Sequence, residues 1–125
     1  MASSKNQPFL VRLRFAWAGI VHAIRAEHSV RFHVGSLVLV LVALVVLRPE
    51  PLWWAVIILA SAAVIAAELF NTALEHLADH LHPEIHSNIR IVKDCAAGAV
   101  LVCSVAALAV AAAFVIHLVS RYLNP

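Results

Sequence analysis

Glu68, Asn71, Glu75 and Asp79 follow one another at spacings of three, four and four residues. At about 100° per residue of helix, these spacings put all four within an arc of roughly 80° on one face. Three carboxyl groups and an amide on a single stripe suit two kinds of chemistry, the holding of a hard cation and the movement of a proton. The stripe follows a run from Leu52 to Ala67 in which nothing is more polar than Ser61, so it begins where membrane depth should be ending. Ionisable groups in such a place are costly and face a bundle interior or a water-filled site. The stripe is therefore the functional hypothesis from which the remaining elements are read.

The chain has 125 residues, one domain's worth, of which 63% are hydrophobic and 13% charged. This is the balance of a membrane protein. A net charge of +2 is too small to suggest nucleic acid. Cys95 and Cys103 stand alone in an apolar segment, without the spacing of a zinc site or a disulfide framework. Gly19, Gly35 and Gly98 are too scattered to form a phosphate-cradling loop, so side chains must hold the phosphates of any nucleotide. The polar start and the interruptions at Arg12, Arg14, His22 and Arg25 are unlike a signal peptide, and the segment is expected to stay in the mature protein.

Four elements must position the stripe. Residues 8–28 read as an amphipathic helix lying in the membrane surface: Leu13, Trp17, Ile20 and Ile24 form its apolar line, and Arg14, His22 and Arg25 lie off it. Residues 29–48 read as a first transmembrane helix, closed by Arg48-Pro-Glu-Pro51 as a tight turn. Residues 52–82 form a second span, with Trp53 and Trp54 at the depth of an aromatic belt. It carries the acidic stripe at its far end and stops at Pro83. His82 to Lys93 reads as a polar connection, and 94–118 as the third span, where Ala97, Gly98 and Ala106 would let another helix approach closely. The expected fold class is an all-α membrane protein with three transmembrane helices behind a surface helix.

Basic residues set the orientation. Lys5, Arg12, Arg14, Arg25, Arg31, Arg90 and Lys93 fall on one side of these spans, and Arg48 and Arg121 on the other. The bias places the N-terminus and the stripe in the cytoplasm, where ATP and magnesium are.

Glu27, Glu68, Asn71, Glu75, Asp79, Glu84, Lys93 and Asp94 thus collect on one membrane edge. Carboxylates from separate helices could hold magnesium when phosphates complete its shell. A carboxylate partly stripped of water could take a proton from a lipid hydroxyl, and a lysine could neutralise a transferring phosphoryl group. These parts suit a lipid kinase. They suit an intramembrane cation or proton site equally well.

The motifs themselves narrow the choice. Glu68-Leu-Phe-Asn71-Thr72-Ala73-Leu-Glu75, then Asp79, Glu84-Ile-His86 and Lys93-Asp94-Cys-Ala-Ala97-Gly98-Ala99-Val100 resemble the small prokaryotic integral-membrane diacylglycerol kinases and their undecaprenol kinase relatives. Arg12-Leu-Arg-Phe-Ala-Trp-Ala-Gly19-Ile20 and Glu27-His-Ser-Val-Arg31-Phe-His33 resemble two further stretches of that family, whose likeness covers about residues 10–118. The resemblance implies a homotrimer with active sites shared between subunits, in the bacterial cytoplasmic membrane. It also implies transfer of the ATP γ-phosphate to a lipid alcohol, with magnesium as cofactor. Position by position, it assigns Glu68 as general base and Asn71 as a positioning residue beside the reacting groups. Glu27 and Glu75 become metal ligands and Lys93 the phosphate-binding lysine. Arg12, Asp79, Glu84, His86 and Asp94 join them around the nucleotide. The chain departs from the family pattern at Leu13, and the stretch 88–92 is bulkier and more apolar than the pattern leads one to expect.

Diacylglycerol is the first-choice acceptor on the prevalence of that activity in the family, with undecaprenol the alternative. Two readings from other classes remain. Imidazoles at His76, His80, His82 and His86 could serve a membrane metal transporter or sensor, although Pro83 should separate His82 from His86. A purely structural membrane protein would explain three helices but not the acids gathered on one edge.

Overall fold

The computed structural model describes residues 7–81 and 87–123. Among them are four helices and no strand: α1 (Phe9–Ala26), α2 (His28–Leu47), α3 (Pro51–Leu81) and α4 (Ser87–Leu123). Of these, α2, α3 and α4 are long and apolar enough to cross a membrane, and the chain is a membrane protein.

The helix boundaries follow from local chemistry. α1 starts on the Pro8 carbonyl, which accepts from the N–H groups of Val11 and Arg12 at 3.0 and 3.2 Å. It ends at Glu27, whose extended backbone (φ −105°, ψ 130°) breaks the helix for a single residue while its N–H bonds to the Ala23 carbonyl. Arg31 Nη1 donates to the carbonyls of Ile24 and Arg25 at 3.2 and 3.0 Å. This satisfies carbonyls that a helix end leaves without partners. The corner between α1 and α2 is thus pinned from both sides, with Glu27 at its apex.

α2 closes on Arg48 in the left-handed region (φ 46°, ψ 55°), its N–H bonded to the Leu44 carbonyl. Pro51 then occupies the first position of α3, where its missing N–H costs nothing. The expected tight turn is therefore present. α3 is the central element, packed against each of the other three helices.

One expectation is corrected. α4 begins at Ser87, so Asn88 to Lys93 are helical where the sequence reading placed a polar connection. Ile89, Ile91 and Val92 suit a helix turn better than a solvated loop. Within the chain, a methyl group at Gly98 would meet nothing within 4 Å, so no helix of the same chain approaches α4 there.

The core lies at the turn end of the bundle. Leu44, Ile57 and Phe114 are buried together, with Val40, Leu41, Trp53 and Trp54 packed around them. Trp53 rests against Phe114 and His117, ring centroids 5.2 Å apart in both cases. The two tryptophans therefore pack inward, half-buried. Elsewhere the helices expose large aliphatic side chains such as Leu39, Leu59, Leu101 and Leu108. Lipid tails match that surface at no hydrophobic cost.

Candidate active site

The second half of α3 carries the stripe away from that core. Its two buried polar residues, Glu68 and Thr72, face the same side. Thr72 satisfies its hydroxyl within the helix, donating to the Glu68 carbonyl at 3.0 Å. Glu68 reaches sideways to α2: Ser29 Oγ donates to its Oε2 at 2.9 Å, and His33 Nε2 stands 3.2 Å from its Oε1. Ser29 and His33 are one helical turn apart and so present a single face of α2. A buried carboxylate is costly unless its oxygens find partners. Here each oxygen has one.

The next turn of α3 carries Asn71 and Glu75, both half-buried. Asn71 Nδ2 donates to Glu75 Oε1 at 3.0 Å. That orientation leaves Asn71 Oδ1 buried without a hydrogen-bond partner among the described residues. Further out, Asp79 forms an ion pair with Lys93, tying α3 to α4. Arg90 and Asp94 pair along α4 at 3.6 Å with both side chains exposed, an arrangement worth little in water.

Glu27 is placed by its neighbours. The rings of His22 and His76 meet at 5.3 Å, and Ser29 touches Glu68. The corner carrying Glu27 is therefore bracketed against the part of α3 that bears Asn71 and Glu75. Arg12 is exposed on α1 and has no side-chain hydrogen bond or ion pair among the described residues. Glu84 and His86 lie outside the described residues, as does His82.

Magnesium takes oxygen ligands and needs only one or two from the protein when phosphates supply the rest. Among the described residues no three potential ligands gather at one point. Glu75, the unpartnered Asn71 oxygen and, from the adjoining corner, Glu27 offer only oxygen donors, the ligand type that magnesium takes.

Two contacts were missed by sequence reasoning. Ser29 and His33 received no role, although two polar residues one turn apart at the mouth of an aliphatic span were visible. The meeting of His22 with His76 is tertiary and left no sequence signal.

Over residues 14–115 the chain matches the family model described as prokaryotic diacylglycerol kinase. A diacylglycerol kinase of Synechocystis sp. is 41% identical over 102 residues, covering 81% of this chain and 58% of that protein. An undecaprenol kinase of Bacillus subtilis is 33% identical over 90 residues, covering 72% of this chain and 73% of the relative. The match to the Synechocystis protein thus takes in little more than half of that protein's length. Every site residue from Glu27 to Asp94 falls inside the matched region, whereas Arg12 lies before it.

Proposed function

The chain belongs to the prokaryotic diacylglycerol kinase family, and from that premise we propose that it is an ATP-dependent lipid kinase. The reaction is transfer of the ATP γ-phosphate to the primary hydroxyl of diacylglycerol, giving phosphatidic acid. The observation that carries this reading is Glu68, a buried carboxylate with Ser29 donating to one oxygen and His33 standing 3.2 Å from the other, at the end of a membrane-spanning apolar run.

In this mechanism the lipid hydroxyl attacks the γ-phosphorus while Glu68 accepts its proton, and ADP leaves. Asn71, its amide holding Glu75, would stand beside the reacting groups as a positioning residue. Glu27 and Glu75 would hold magnesium, which supplies charge neutralisation on the phosphates. Lys93 turns from Asp79 to the transferring group. That exchange is cheap, because an ion pair with Asp79 largely exposed contributes about 0–1 kcal/mol. Arg12, Asp79, Glu84, His86 and Asp94 would surround the nucleotide.

The same reading puts the N-terminus and the site on the cytoplasmic face of the bacterial inner membrane and lays α1 in the interface. The positive-inside distribution and the exposed Phe9, Leu10 and Trp17 on α1 support it. A homotrimer with shared sites would cover part of the exposed aliphatic surface of α4.

Purified chain in vesicles, given ATP, magnesium and diacylglycerol, should release ADP only when the lipid is present. Absence of lipid-dependent ADP from a correctly assembled sample would overturn the proposal. Undecaprenol is the competing acceptor, named by the Bacillus relative. Parallel rates on the two lipids decide between them, a higher kcat/KM on diacylglycerol being expected.

A further inference from the structure

Glu68 is nearly sealed from solvent, its side chain 4% exposed, whereas that of His33 is 23% exposed. The imidazole and Ser29 come from one face of α2 and engage different oxygens of the same carboxylate. A carboxylate has about four lone-pair positions. Two are occupied by these donors, and the others remain for a reacting hydroxyl. With both oxygens held from α2, the carboxylate plane cannot turn on its own helix.

We propose that His33 is a positioning residue for phosphoryl transfer: its Nε2–H, given to Glu68 Oε1 while Ser29 holds Oε2, fixes the carboxylate that accepts the lipid hydroxyl proton. The inference rests on the reading of Glu68 as the base. His33 acts through Glu68 and touches neither substrate. Its neighbours leave it that role. On α3 the next titratable group along the helix after Glu68 is Glu75, engaged by Asn71. From α4, Lys93 is taken by Asp79. From α1, His22 meets His76 ring to ring at a tilt of 58°. No second anion competes for the His33 donor, and no other cation is paired with Glu68 among the described residues.

A bystander that merely satisfies a buried acid and a residue that aims a base share this geometry, and they separate in kinetics. Misplacement of a catalytic group by about 1 Å costs on the order of 100-fold, and the loss falls on kcat when ground-state binding is untouched. In full-length chain reconstituted in vesicles, His33→Ala should lower kcat by about 10- to 100-fold, with KM for ATP and for lipid within about twofold. His33→Gln puts an amide N–H at about the place of Nε2 and should recover most of the rate. His33→Asn is equally polar but stops short of Glu68, and should behave like His33→Ala.

A second readout does not depend on turnover. The infrared difference between wild type and Glu68→Gln isolates the Glu68 carboxylate stretch. That band should move in His33→Asn and return in His33→Gln. Asn and Gln variants of equal rate, an unmoved band, or a loss confined to KM would each overturn the inference. Glu68→Gln with undiminished turnover would remove the base itself and the inference with it. An inactive Glu68→Gln beside a fully active His33→Asn would overturn the role of His33 alone.

Discussion

Asn71 donates its amide nitrogen to Glu75 Oε1 at 3.0 Å, and this single bond decides which way the amide faces. Its oxygen is left buried and without a partner, a state that costs about 1–3 kcal/mol until a donor arrives. The oxygen is an open acceptor beside Glu75. Asn71→Asp keeps the shape but turns donor into acceptor, setting two carboxylates one turn apart. It should lower kcat by about 100-fold, the order of loss that misplacing a catalytic group brings, and lower the magnesium concentration needed for half-maximal rate, because a second carboxylate strengthens a site for a hard cation. Asn71→Ala only frees Glu75, and loss of one hydrogen bond of about 0.5–1.5 kcal/mol should raise the KM for magnesium-ATP by no more than about tenfold. Steady-state kinetics in vesicles at varied magnesium checks both. An Asn71→Asp variant with wild-type kinetics would contradict the assigned geometry.

Glu68 and Glu75 share a helix face but not an environment. Glu68 is sealed between α2 and α3, and Glu75 stands about 10 Å further along the axis, only half-buried. Glu68→Gln should cut turnover by about 100- to 10,000-fold, the usual worth of a general base. Magnesium-ATP binding should survive. Glu75→Gln should weaken the magnesium-dependent component of nucleotide binding instead. Titration with a fluorescent ATP analogue, with and without magnesium, separates the two. Equal losses of nucleotide affinity in both variants would sink this division of labour.

Lys93 is held by Asp79 across the α3 and α4 contact, and their exposures differ: Asp79 is largely open and Lys93 half-buried. Asp79→Asn should therefore shift stability by less than about 1 kcal/mol and leave kcat within a few fold. Lys93→Met removes a cation from the transferring phosphoryl group and should lower kcat by at least about 100-fold. Comparison of melting temperature with kcat for the two variants is the measurement. A Lys93→Met variant as active as Asp79→Asn would exclude phosphate binding by this lysine.

The parts of the fold legible in the sequence are those written in local chemistry. Aliphatic runs give α2 and α3 directly, and Arg48-Pro-Glu-Pro51 can only end one helix and start another. Glu68 stood out because hydropathy alone makes it the deepest acid of the stripe. What failed to show was cross-helix. The early start of α4 was obscured because Asn88, Arg90 and Lys93 look like loop residues, whereas their alternation with Ile89, Ile91 and Val92 carries no cap or breaker. The packing of Trp53 on Phe114 and His117 of another helix left no trace in the local sequence. His33 was visible as a polar residue at a span's mouth, but its role depends on a partner 35 positions later in the chain.

The core at the turn end makes a test of how separable stability and catalysis are. Leu44, Ile57 and Phe114 bury one another, and Phe114 is about 30 Å along α4 from Asp94. In a water-soluble core, Phe→Ala costs about 3–5 kcal/mol. In a bilayer the transfer part largely vanishes, because lipid is as apolar as the core, and lost packing contacts remain. Phe114→Ala should therefore lower unfolding stability in detergent titration by about 1–3 kcal/mol, the packing share of that cost. Its kcat in vesicles should stay within about twofold of wild type, since the substitution lies outside the site. His117 tests the opposite sign. Its Nε2 is buried there with no partner, so His117→Leu removes an unmet polar group and should leave stability unchanged or raised. If Phe114→Ala instead reduced kcat with stability intact, the two ends of the bundle would be coupled through α3 and α4.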